Sequence, residues 1–233
     1  MIARAVLVGL MLAAPAQAAR VETVGHSVRG RAIKAVVVGP RDAARDVLVV
    51  GSIHGNETAG HAIVAALRER NAAPAGTALW LVRSFNPDGL AAGTRQNAHG
   101  VDLNRQAPYR WRALPRGTFF SGPRPLSEPE SRAAIRLVRR LHPVLSLWYH
   151  QAARIVDSDA PVARRYARAV GLPSGRLPGD YPGSITNWQN HVQPSGTAFV
   201  VELAAGRLSR PQIRRHVRAV VAATRASVRG AKA

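Results

Sequence analysis

The side chains best suited to chemistry are a His54/Glu57 pair three residues apart, His150, and Glu202 inside an apolar run. Cysteine is absent, which excludes disulfides, thiolate catalysis and cysteine-based zinc sites, and leaves His, Asp and Glu for any metal. An imidazole and a carboxylate at that spacing, across a strand-to-helix turn, can present donors to one ion. Alone, H-x-x-E is also a common surface pair, but here it directly follows the buried-type run DVLVVGSI (46–53) and is flanked by small residues. His150 closes VLSLWYH; read singly, it is as readily a hydrogen-bonded core histidine. Glu202 lies within AFVVEL, where a carboxylate is costly unless paired, with an arginine for example, or functional. Two histidines and a glutamate with one open position, beside a carboxylate base, would form a hydrolytic zinc site.

Such residues converge only if strand ends bring them together. The sequence offers an opening hairpin (21–25 and 32–38) and strands at 46–53, 79–85, 144–149 and 197–203. Helical spacing predicts helices over 58–70, 127–141 and 161–170, with a last one from about Ser209. Ser127 and Glu130 form a capping-box start for the second. Asn86-Pro87-Asp88-Gly89 reads as a turn, and residues 90–126 as a long loop without steady period, which in a compact domain is usually functional or disordered. Strands separated by helices give an α/β fold: one domain over 19–233, a mixed twisted sheet with helices on both faces. Three of the four candidates then fall where buried strands end, the usual place for sites in such folds.

Residues 1–18 read as a secretory signal: Arg4, an apolar run from Val6 to Ala14, and Ala16-Gln17-Ala18 as the cleavage site. That run is too short to span a membrane, and no later stretch is long enough. The expected location is periplasmic or extracellular. The net charge of +20 comes mostly from arginines scattered over several helices, without the aromatic interleaving that suggests base stacking. Solvated helix faces explain most of it; attraction to anionic cell-wall polymers is the functional alternative, and nucleic acid is disfavoured.

The ordered set His54-Gly55-Asn56-Glu57, Asn86-Pro87-Asp88-Gly89, Thr94-Arg95, G-V-D-L-N-R (100–105), His150 and V-V-E-L (200–203) resembles the zinc carboxypeptidases, most closely the branch of murein peptide amidases. The G-H-S-x-x-G-R opening (25–31) extends the match over nearly the whole chain after the signal. The resemblance implies one Zn²⁺ per chain on His54, Glu57 and His150, with Asp102 orienting the first histidine. It implies Glu202 as general base and proton shuttle, Arg95 as the group stabilising the oxyanion, and Asn104 with Arg105 as the grip on a substrate carboxylate. The implied substrate is a peptidoglycan-derived peptide cut between γ-D-glutamate and a diamino acid such as meso-diaminopimelate. A general carboxypeptidase and a basic exported binding protein without catalysis are the alternatives. Asn56 departs from the arginine of the digestive-type enzymes, and their mobile tyrosine has no motif here, Tyr181 and Tyr166 being candidates.

Overall fold

A computed structural model describes residues 19–230 of the chain; the signal expected at 1–18 lies outside the described residues. The mostly apolar strands β3 (Arg45–Val50) and β4 (Thr77–Val82) are parallel neighbours at the sheet centre, joined there by β5 (Leu145–Gln151) and β8 (Thr197–Leu203). The hairpin β1 (Arg20–His26) and β2 (Ala32–Val38) adds antiparallel strands at one edge. Two short strands, β6 (Ile155–Asp157) and β7 (Ser174–Gly175), finish the other, giving the eight-stranded order β1-β2-β4-β3-β5-β8-β6-β7. The mixed sheet and α/β class expected from the pattern are both present.

Because side chains alternate across a strand, the central strands feed two cores. Val47, Val49, Leu147, Tyr149, Phe199 and Val201 face α1 (Gly60–Glu69), α4 (Pro161–Val170) and α6 (Arg210–Gly230). Leu48, Val50, Trp80 and Trp148 face α3 (Pro129–Leu141) and α5 (Ile185–Val192). No helix among the described residues is long and apolar enough to cross a membrane.

Two local expectations change. Asn86-Pro87-Asp88-Gly89 opens a helix, α2 (Pro87–Ala92), because the Asn86 side chain accepts the Gly89 N–H at 2.8 Å and Pro87 fits its first turn. Glu128, not Ser127, stands at the N-cap of helix α3, and its side chain makes no capping bond; the Ser127 hydroxyl instead donates to Glu128 at 2.7 Å. The carboxylates of 127–130 serve the long loop and the opening motif: Glu128 accepts from Asn97 (2.7 Å) and His99 (2.8 Å), and Glu130 from the Val28 N–H (3.0 Å). The opening motif has a similar task, with Arg31 and the Arg29 N–H both bound to Asp88.

Under the sheet, the buried chain Tyr149–Tyr166–His216 is linked by bonds of 2.7 Å each. Burial, helped by Arg215, depresses His216 to a pKa of about 4. The fold therefore prefers neutral His216. Its contribution is complete above the unfolded value near 6.5 and is lost as pH falls toward 4, about 3 kcal/mol in all. With chelator present throughout, wild type should lose more urea stability between pH 7 and pH 4.5 than His216→Gln; parallel losses would assign the acid sensitivity elsewhere.

Candidate metal centre

His54 follows β3 on a short loop that reaches the start of α1, and Glu57 lies on the same loop. The two motifs of that region are pressed together: a Cβ on Gly55 would come within 2.0 Å of the Gly89 backbone, so a side chain at Gly55 would push the loop away. His150 lies near the end of β5, directly beside Glu202 in the parallel β5–β8 pair. Asp102 caps the short 3₁₀ turn Leu103–Arg105 through the Asn104 N–H (2.9 Å), which fixes Asn104 and Arg105 beside it.

These elements bring His54, Glu57 and His150 into one buried cluster whose donor atoms lie within 4.8 Å of one another. His54 Nδ1 is 2.9 Å from Glu57 Oε1, His150 Nδ1 is 3.0 Å from Glu57 Oε2, and the two Nδ1 atoms are 3.2 Å apart. Zn–N bonds of about 2.0–2.1 Å in tetrahedral geometry place two nitrogens roughly 3.3 Å apart. The residues therefore fit a zinc ion. His54 Nε2 meets Asp102 Oδ1 at 2.9 Å, a bond that puts the proton on Nε2 and turns the Nδ1 lone pair toward the cluster. His150 Nε2 is buried without a protein partner, so this ring makes its polar contacts on the cluster side.

Electrostatics keep the carboxylates ionised. Burial alone would raise Glu57 and Asp102, but His150 and His54 beside Glu57, and His54 and Arg95 beside Asp102, hold both well below the usual carboxylate range. Burial pushes His54 down, yet Asp102 and Glu57 more than offset it and its pKa is raised. A metal must displace that proton, so its affinity falls with acid.

Arg95 braces the cluster, donating to Glu57 at 3.0 Å and twice to Asp102, at 2.9 and 3.1 Å; its remaining donors have no described partner. Arg105 is buried, with the rings of Phe119 and Tyr181 5.4 and 5.3 Å from its guanidinium. Asn104 spends its oxygen on the Ile185 N–H (3.0 Å), leaving its NH₂ to donate. Glu202 is half-buried; its described hydrogen bond is with the Ala153 N–H at 3.4 Å, and no arginine pairs with it among the described residues. One cavity is lined by all these groups except Asp102, which stands behind His54.

The cavity also holds Gln151, Asp157 and Asn187, which the sequence reading did not assign to the site. Gln151 ties the strand ends together, accepting from the Ala59 N–H and donating to the Ala204 carbonyl. A polar residue directly after the strand-end histidine was the signal available for it. Of the two candidate tyrosines, Tyr181 lines the cavity and Tyr166 is buried away from it in the Tyr149–His216 chain.

A convergent His-Glu-His set with an adjacent carboxylate and arginines is the layout of a metal-dependent hydrolase. The model of the zinc carboxypeptidase family matches residues 7–158, and the chain belongs to that family, on the branch of the murein peptide amidases. It is 30% identical over 187 residues to murein peptide amidase A of Vibrio campbellii, covering 72% of this chain and 74% of the relative. The corresponding protein of Escherichia coli (strain K12) is 28% identical over 165 residues, 64% of this chain and 68% of the relative. The solved murein-tripeptide amidase MpaA from Escherichia coli O157 superposes with a TM-score of 0.72 at 22% identity, over 90% of this chain and 98% of that one. Carboxypeptidase A from Helicoverpa armigera gives 0.79 at 18% identity, over 93% and 70%. The chain is thus a metallopeptidase or amidase of a zinc-dependent family, with peptide substrates.

Proposed function

We propose that the protein is exported and hydrolyses cell-wall peptides at the amide between γ-D-glutamate and a diamino acid such as meso-diaminopimelate. One zinc per chain would be held by His54, Glu57 and His150; when bound, it lowers the pKa of water toward about 7 and polarises the scissile carbonyl. Glu202 takes the proton of the attacking water and returns it to the leaving amine. The unpartnered donors of Arg95 meet the negative charge developing on the carbonyl oxygen. Asn104 and Arg105 hold a carboxylate next to the leaving nitrogen, which supplies orientation. The exposed arginines add attraction to anionic wall polymers.

The observation that carries the substrate reading is a second cavity of about 410 Å³ that shares Arg105 and Tyr181 with the metal cavity. It contains Arg112, Arg116 and the exposed Phe119. Arg112 is paired with Asp180 at 2.6 Å, whereas Arg116, stacked 5.0 Å from the Phe120 ring, has no carboxylate partner among the described residues. A γ-linked D-glutamate carries a free α-carboxylate of its own, and in this reading Arg116 is its partner.

The competing reading, a general carboxypeptidase, is supported by the carboxypeptidase N catalytic chain of Rattus norvegicus, 29% identical over 59% of this chain and 39% of the relative. The two separate on substrate. L-Ala-γ-D-Glu-meso-diaminopimelate should be cleaved with a kcat/KM well above that of an N-blocked α-linked L-dipeptide, because a missing charge-paired group can cost up to about 10⁴–10⁵ in discrimination. Comparable rates would favour the general enzyme, and α-peptide cleavage alone would remove the wall-peptide assignment. Failure to cleave either would point to a different amide substrate for the same site.

A further inference from the structure

Helix α6 carries its charge on one side. Its sequence, RPQIRRHVRAVVAATRASVRG, contains no Asp or Glu. At 3.6 residues per turn, Arg210, Arg214, Arg218, Arg225 and Arg229 fall within a sector of about 100°, and the stripe they form runs roughly 30 Å along the axis. All five are exposed, and none pairs with a carboxylate among the described residues. The side bearing Val217, Val220 and Ala223 is buried in the core under the sheet. Helix α4, joined to α6 by the Tyr166–His216 bond, adds the exposed Arg164, Arg165 and Arg168, again without an acid.

Such a stripe works against the helix that bears it. Arg210 and Arg214, Arg214 and Arg218, and Arg225 and Arg229 are like charges four residues apart, and Arg210 puts a cation at the positive end of the helix dipole. A face that serves only solvation usually interleaves both signs. The compensating anions here must come from outside the chain, and guanidinium forks favour carboxylates and phosphates. Anchoring in a lipid surface calls for apolar side chains beside the arginines. The exposed large hydrophobics among the described residues, Val21, Phe119 and Val192, lie on neither helix. No aromatic side chain is exposed on α4 or α6 for bases to stack on. A narrow, straight track suits instead a flexible strand with anions repeated along it.

The track also starts close to the site. Gln151, in the wall of the metal cavity, donates to the Ala204 and Gly206 carbonyls at 2.8 and 3.0 Å. Arg210 follows Gly206 by four residues, a reach of at most roughly 14 Å. We propose that the α4–α6 face is a docking track for a strand of the carboxylate-bearing cell-wall polymer. It is separate from the metal cavity and holds the enzyme on the material whose peptides it cuts. The inference rests on the wall-peptide reading above and gives the attraction to the wall one location.

The test is cosedimentation of the zinc-loaded protein with purified peptidoglycan at physiological ionic strength. The variant Arg214→Glu/Arg218→Glu/Arg225→Glu should bind about 10-fold or more weakly than wild type, as the loss of three exposed charge contacts implies. A control, Arg41→Glu/Arg124→Glu/Arg136→Glu, changes the net charge equally at exposed arginines elsewhere and should bind like wild type. Equal losses in the two variants would overturn the track in favour of net charge alone. So would wall binding that the α6 variant leaves intact. Tighter α6-dependent binding to phosphatidylglycerol vesicles or duplex DNA than to peptidoglycan would give the face to that partner and sink the proposal. If circular dichroism shows a glutamate variant to be unfolded, the glutamine triples at the same positions supply the comparison. Cleavage of soluble L-Ala-γ-D-Glu-meso-diaminopimelate is scored separately. A protein that binds wall through α6 without cleaving that peptide supports the track and removes the substrate reading; one that cleaves it without binding wall sinks the track alone.

Discussion

Replacing Glu202 by glutamine should lower turnover by at least about 10²–10⁴-fold while leaving the fold and zinc content intact. The substitution keeps the side chain's shape and removes its ability to accept a proton. Glu202 lies beside His150 in the β5–β8 register, close enough to serve the same cavity, yet it is not among the three residues whose donor atoms converge. Pairing with an arginine was the structural alternative for a carboxylate in this apolar strand, and no such pair is present among the described residues. Zinc per chain, far-UV circular dichroism and steady-state rates on one wall peptide would make the measurement. A variant within a few-fold of wild type, with zinc and fold retained, would assign Glu202 a structural part and place the base elsewhere.

What was legible in the sequence followed from how strongly each segment is constrained. Strands buried on both faces must be apolar along their length, so β3, β4, β5 and β8 stood out, and with them the polar residues at their ends. Helix α4 and strand β8 begin and end at the expected residues because Pro161 and the run from Thr197 to Leu203 leave little freedom. The segment from 90 to 126 could not be read by period. Its structure is made by individual side-chain bonds, such as Asn97 to Glu128 and Gln106 to the Arg124 carbonyl, that join residues far apart in sequence. Asp157 escaped notice for a related reason. Strand β6 is three residues long, too short to show alternation, and its register against β8 alone puts the carboxylate into the cavity. Arg95 was expected as a group facing substrate; its bonds to Glu57 and Asp102 show that it also holds those two carboxylates in place.

Replacing His150 by alanine should cost far more zinc affinity than replacing Asp102 by asparagine. The wild-type cluster gives a metal two imidazole nitrogens and a carboxylate, already near tetrahedral spacing, from the loop after β3 and from strand β5. Removing His150 leaves His54 and Glu57, separated by three residues on one loop, and exposes the metal to water on the side that β5 now covers. Asn at 102 keeps a hydrogen-bonding partner for His54 but loses its charge, an outer change that typically costs about 10–100-fold in affinity. The order His150→Ala weaker than Asp102→Asn weaker than wild type should appear in competition against a chromophoric chelator, with wild type carrying about one zinc per chain. Because His150 is buried, circular dichroism must show that the alanine variant still folds, and His150→Gln, closer in volume, supplies the same comparison if it does not. Full zinc occupancy in a folded His150 variant would mean that the ion is held without it, and that its nearness to Glu57 is packing rather than ligation.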